Sequence, residues 1–152
     1  MAITTAEAQE QILDDLSGAV DGVALAVARL GEAYDRLSVT SAKRLESELF
    51  RPTQKAFGRS KRAYAKFAER CGLPARDFES PNPGQRSQAV KEFIEQALAA
   101  SGEADRKIAK LQDSMMPTEF GDPELRAGLA EVRSLLGVLP GAAREFLRTL
   151  GR

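Results

Sequence analysis

The chain has 152 residues, its 22 Lys plus Arg balance 22 Asp plus Glu, and 43% of it is hydrophobic against 29% charged. This balance excludes intrinsic disorder and gives no global pull towards nucleic acid or membrane. His is absent and Cys71 is the only cysteine. His-based acid–base catalysis, His metal ligands, Ser-His and Cys-His nucleophile pairs, an intrachain disulfide and a cysteine metal cluster are therefore excluded too.

The first residues, Met1 to Glu7, lack the basic start and apolar core of a secretory leader. No uncharged apolar run approaches the about 20 residues that span a bilayer. A single thiol suits a reducing compartment, so a soluble cytoplasmic protein is expected. The preference for Arg over Lys and the abundance of Ala point to a bacterial, GC-rich source.

Four helices are predicted in chain order. The first has apolar residues at Leu13, Leu16, Val20, Val23, Val27, Leu30, Tyr34 and Leu37, an unbroken alternation of three and four steps. Thr4-Thr5-Ala6-Glu7 supplies a capping box, so helix 1 is expected over about 5–37. Residues 38–41, Ser-Val-Thr-Ser, contain neither Gly nor Pro. A turn is read there, with one continuous rod as the alternative.

Helix 2 is expected over about 41–72. Leu45, Leu49 and Thr53 take two successive steps of four, and a new seam runs through Phe50, Thr53, Phe57, Ser60, Tyr64, Phe67 and Cys71. This stutter coincides with Pro52 and predicts a kink. Gly72 and Pro74 end the helix.

Helix 3 is expected over about 83–116. Its start is read from Asn82-Pro83-Gly84-Gln85, its stop from Pro117, and its seam from Val90, Ile94, Ala97, Ser101, Ala104, Ile108, Leu111 and Met115. Helix 4 is expected over about 123–150. Asp122-Pro123-Glu124 starts it, Leu125 to Leu150 carry its seam, and Pro140-Gly141 predict a second kink.

Strand-like alternation is missing. The expected fold is therefore all-α: one domain forming an elongated, antiparallel, up-down-up-down four-helix bundle of about 45–50 Å.

No constellation for catalysis stands out. The carboxylates fall outside the seams, Ser60 and Ser101 are small seam residues suited to bonding backbone carbonyls, and isolated glycines make no phosphate loop. Cys71 reads as a small buried hydrophobe. The expectation is no enzyme, no metal and no cofactor.

Charge segregation is the outstanding feature. From Arg51 to Arg70 there are seven basic residues and one acid, Glu69. Six of them, Arg51, Lys55, Arg59, Arg62, Lys66 and Arg70, are spaced by fours and a three, which puts them on one outward face. These six form the candidate surface for an anionic partner. Helix 1 is its opposite, with seven acids against Arg29 between Glu7 and Asp35, and with Glu7, Asp14, Asp21 and Asp35 at heptad spacing.

Three uses of these stripes compete: solvated faces, docking of an acidic protein or anionic lipid surface, and pairing between copies in a homo-oligomer. Nucleic acid is the weakest partner, because no aromatic is interleaved on the basic face and no helix-turn-helix is visible.

The run Gln54-Lys55-Ala56-Phe57-Gly58-Arg59-Ser60-Lys61-Arg62 is similar to phasins, helical proteins that coat storage granules. Long helices bent at prolines with a basic outer face resemble BAR domains, which coat curved membranes. Each resemblance covers about the central third of the chain and implies a peripheral coat on a membrane or granule surface. The reading from the residues themselves is a non-catalytic, self-associating interaction module whose basic helix 2 face docks an anionic partner. After the peripheral coat, the remaining alternative is a small-molecule carrier or enzyme with a site inside the bundle, which would need polar groups converging in a cavity.

Overall fold

A computed structural model describes residues 3–84 and 88–150, and all regular structure among them is helical. The elements are α1 (Thr5–Arg36), α2 (Val39–Leu45), a π-helical turn (Glu46–Phe50), α3 (Arg51–Cys71), α4 (Val90–Asp113), α5 (Met116–Glu119), α6 (Pro123–Gly137) and α7 (Leu139–Leu150).

Local chemistry explains most boundaries. The Thr4 hydroxyl accepts a hydrogen bond from the Glu7 N–H at 3.1 Å and starts α1. Leu37 turns extended, and Ser38 accepts from the Ser41 N–H to cap α2, so two helices replace the single rod. Over Glu46–Phe50 the backbone ladder widens, and the Arg51 N–H reaches the Glu46 carbonyl. The extra residue of this π turn is the structural form of the stutter, and the turn ends one residue short of Pro52, which has no N–H to give.

Gly72 closes α3 with φ at +66°. A Cβ there would meet no neighbour, so only backbone strain opposes one. Gly72→Ala is expected to destabilise the protein by about 1 kcal/mol, read as a lowered urea midpoint.

The third helical stretch begins later than its sequence signal. Asn82 Oδ1 accepts from the Gly84 N–H at 2.9 Å, closing a local turn, and Gly84 takes φ +122°. The start expected at 83 is thus corrected to Val90; Gln85 lies outside the described residues. This helix ends at Asp113, ahead of Met115 at φ +66°, and Pro117 sits in the short α5. Pro140 falls in the first turn of α7, after the break at Val138, where its missing N–H leaves no helix bond unmade.

Packing gives the chain order a different direction from the expected one. Along α1 and α4, Arg36 lies over the Phe93 ring, Arg29 donates to the Gln96 carbonyl, Gly22 approaches Ala100 and Ala104, and Gly18 faces Lys107. The two helices are therefore antiparallel. Tyr34 meets Phe50 just before α3, and Arg76, just past its end, bonds Asp21, so α3 is antiparallel to α1 as well. Gln112 lines a cleft with Arg126 and Leu129, while Arg133, further along, bonds Asp105, so α6 runs against α4.

It follows that α3 and α4 point the same way. The up-down-up-down order is corrected to up-down-down-up. The physical reason is the connection 72–89. Its 18 residues can reach about 60 Å, more than the about 50 Å of the stretch from Val39 to Cys71, and its residues 72–84 climb back along the molecule as a strap. Arg76 holds Asp21 through two bonds of 2.8 and 2.9 Å. The Arg76 N–H donates to the Tyr64 hydroxyl, Phe78 stacks edge-on against Tyr64, and Ser80, Pro81 and Pro83 line a cleft with Val27, Tyr34 and Phe50.

One apolar cluster joins α1, α3, α4, α6 and α7, with Phe67, Phe93, Phe146, Ile12 and Leu16 fully buried. The three buried polar residues among those described are satisfied locally: Thr53, Ser60 and Ser101 donate to the carbonyls of Leu49, Phe57 and Leu98.

Candidate functional site

The site is the outward face of α3 and its seam with α6. Ala56, Ser60, Ala63, Tyr64, Phe67 and Ala68 turn inward, which leaves Arg51, Lys55, Arg59, Arg62, Lys66 and Arg70 on the opposite and flanking side. Tyr64 faces the strap, which Arg76 ties to Asp21 of α1, whereas Ala63 faces Gly128 of α6, and the basic row lies on the α6 side.

The six cations are not equivalent. Arg59 reaches across to α6, its Nε 2.6 Å from Glu131 Oε2, and only 19% of its side chain is exposed. Gly128 makes room for that guanidinium: a Cβ would stand 3.1 Å from Ala63 Cβ and 3.2 Å from an Arg59 nitrogen. Arg70 is held more firmly. Its Nε and Nη2 lie 2.6 and 2.9 Å from the two Asp122 oxygens, and its Nη1 lies 2.9 Å from Glu124.

The Arg70 hydrogen bond holds the Asp122 carboxyl below the usual carboxylate range, helped by the Leu125 N–H and opposed by partial burial. The same pairing raises Arg70. Arg51 and Lys66 have looser partners in Glu46 at 3.4 Å and Glu69 at 3.5 Å, all well exposed. Lys55 and Arg62 make no ion pair among the described residues. Lys61, off the row, sits 4.2 Å over the Phe57 ring.

Arg59, Arg62, Lys66 and Arg70 thus form one wall of a shallow groove of about 450 Å³, with Ala63 and Ala127 in its lining and Glu124 on the α6 side. The α6 carboxylates were the part missed from sequence. Glu124 and Glu131 stand seven apart, a repeat that marks one face, but only the packing of α6 on α3 aims it at the cations.

On α1, Asp21 is taken by Arg76 and Asp15 accepts from Gln11. Glu7, Glu10 and Asp14 are exposed and make no ion pair among the described residues. Burial pushes the half-buried Cys71 thiol up, so little thiolate forms. Among the described residues no group of three His, Cys, Asp or Glu could hold a metal, and no helix is long and apolar enough to cross a membrane. No protein-family model, curated protein or solved structure matches the chain.

Proposed function

We propose that this chain is a non-catalytic helical interaction module, one elongated bundle kinked near Pro52 and Pro140, that works in the cytoplasm, self-associates and docks an anionic partner on the α3 face. The observation that carries the reading is the unequal neutralisation of the basic row. Asp122, Glu124 and Glu131 occupy Arg59 and Arg70, while Lys55 and Arg62 have no carboxylate partner among the described residues and Lys66 only the exposed Glu69. These three project over about 16 Å of one helix. A row of this kind attracts polyanions through long-range charge.

Docking by charge, rather than by insertion into a lipid surface, is favoured by where the apolar exposure lies. The large exposed hydrophobics, Ile3, Val39, Met115 and Val138, are all outside α3, so this face carries no wedge for a bilayer.

Lys55→Glu/Arg62→Glu/Lys66→Glu is expected to remove binding and leave the fold unchanged, because none of the three packs in the core. The wild type should be retained on heparin at about 0.1 M salt and released towards about 1 M, as the Debye length falls from about 10 to about 3 Å. Anionic vesicles run alongside report whether lipid is a partner. Equal heparin retention of the wild type and the variant, with matching far-ultraviolet circular dichroism, would overturn this reading.

A further inference from the structure

Among the loosely held cations of α3, Lys55, Arg62 and Lys66 stand with steps of seven and four, and Arg51, tied to Glu46, lies one step of four beyond them. On the outward face of α1, exposed acids stand at Glu10, Asp14 and Asp21, with steps of four and seven. At 3.6 residues per turn each trio falls within a sector of about 40°. The two rows therefore match when the helices run antiparallel. Parallel alignment of the same rows pairs at most two of the three.

We infer that the anionic partner of the α3 face is the α1 face of a second copy of this chain, with Lys66 opposite Glu10, Arg62 opposite Asp14 and Lys55 opposite Asp21. This rests on the reading of α3 as a docking face and names its occupant. Glu10 and Asp14 are free of ion pairs among the described residues, and Asp21 keeps half of its side chain exposed while it holds Arg76. Gly58 lies within the basic row, where a Cβ would meet nothing, so a second helix can come close.

Two features work against the contact. Its register brings Glu7 to Glu69, a like-charge meeting beside Arg70. Lys107 and Lys110 line the cleft next to Asp14 and Asp15 and weaken the acidic field there. The contact is accordingly of the small, transient class. Because the basic and acidic rows lie on different faces of one copy, it is head-to-tail. Each added copy leaves one row of each sign open, so assemblies grow rather than close as a pair.

The test is weight-average mass by light scattering, at increasing protein concentration and at about 0.1 and about 1 M salt. Two charge-reversed chains are compared, Arg62→Glu/Lys66→Glu and Glu10→Lys/Asp14→Lys; the second leaves the Asp21–Arg76 pair intact. The wild type should rise at low salt to at least about twice the 16.5 kDa of one chain and fall back at high salt. Either variant alone should stay at one chain, because its rows now repel. An equimolar mixture should regain the wild-type mass, since each reversed row meets its complement on the other chain.

A wild type that stays at one chain, a variant that associates like the wild type, or a mixture that fails to recover overturns the inference. Heparin retention separates the two levels. Retention with no self-association leaves α3 as a docking face for another anion, whereas loss of both removes that reading as well.

Discussion

Phe67→Ala is expected to destabilise the fold by about 3–5 kcal/mol, the range for truncating a buried aromatic. The ring is 1% exposed and lies on the core side of α3. The other buried positions of α3 are Thr53, Ala56, Ser60, Ala63, Tyr64 and Ala68, so Phe67 and Tyr64 are its only large fillers. Against a total stability of about 5–15 kcal/mol the loss is severe. It should appear as a urea midpoint lowered by about 2 M with an unchanged slope. Phe67→Leu, which keeps most of the volume, should cost less than about 1.5 kcal/mol. A midpoint shift for the alanine variant no larger than that of Arg62→Ala, an exposed position, would contradict this account of the core.

That core is where the sequence was most legible. Of the predicted seams, Leu13, Leu16, Val20, Val23 and Leu30 of α1, Ile94 to Leu111 of α4, and Leu125 to Phe146 across α6 and α7 are buried at their seam positions. Periodicity works here because one face of each helix meets apolar neighbours along nearly its full length. The caps at Thr4, Asp122 and Gly72 were legible for a similar reason: each is a hydrogen bond or a φ value settled within four residues.

What could not be read depends on distant partners. Hydrophobic spacing says which face of a helix is inward and nothing about which way the helix points. The direction of α4 is set by the connection between α3 and α4, whose described part is held by Arg76 on Asp21 and Phe78 on Tyr64, contacts between residues 55 and 14 positions apart. The Asn82-Pro83 signal misled because an Asn side chain closes a loop turn with the same geometry by which it caps a helix. The candidate face shows the same division. The row from Arg51 to Arg70 follows from spacing alone, but which cations are already neutralised follows from α6 lying beside α3.

Asp122 joins the fold to that face, and its substitution has the second largest expected effect. One carboxylate performs two tasks: it accepts the Leu125 N–H at 2.8 Å to cap α6, and it clasps Arg70 through both oxygens. Asp122→Ala removes both and should cost about 1–2 kcal/mol at neutral pH. Asp122→Asn keeps a capping oxygen but loses the charge, so it should cost about half as much.

The pH dependence separates the two tasks. Because Arg70 lowers the folded-state pKa of Asp122, the ion pair stabilises the protein fully above the unfolded value of about 3.9. That contribution is lost as pH falls through the folded value. The difference between wild type and Asp122→Asn should therefore shrink between about pH 7 and about pH 3, while Asp122→Ala stays the less stable of the two variants because it lacks the cap. Urea midpoints at the two pH values decide this, and a wild-type-to-Asn difference that does not change with pH would remove the ion pair from the explanation. The same substitution leaves Arg70 with only the exposed Glu124. Asp122→Asn should thus elute from heparin at higher salt than the wild type, a gain in binding from a variant that loses stability, because the carboxylate that fastens α6 to α3 also withholds a cation from the docking face.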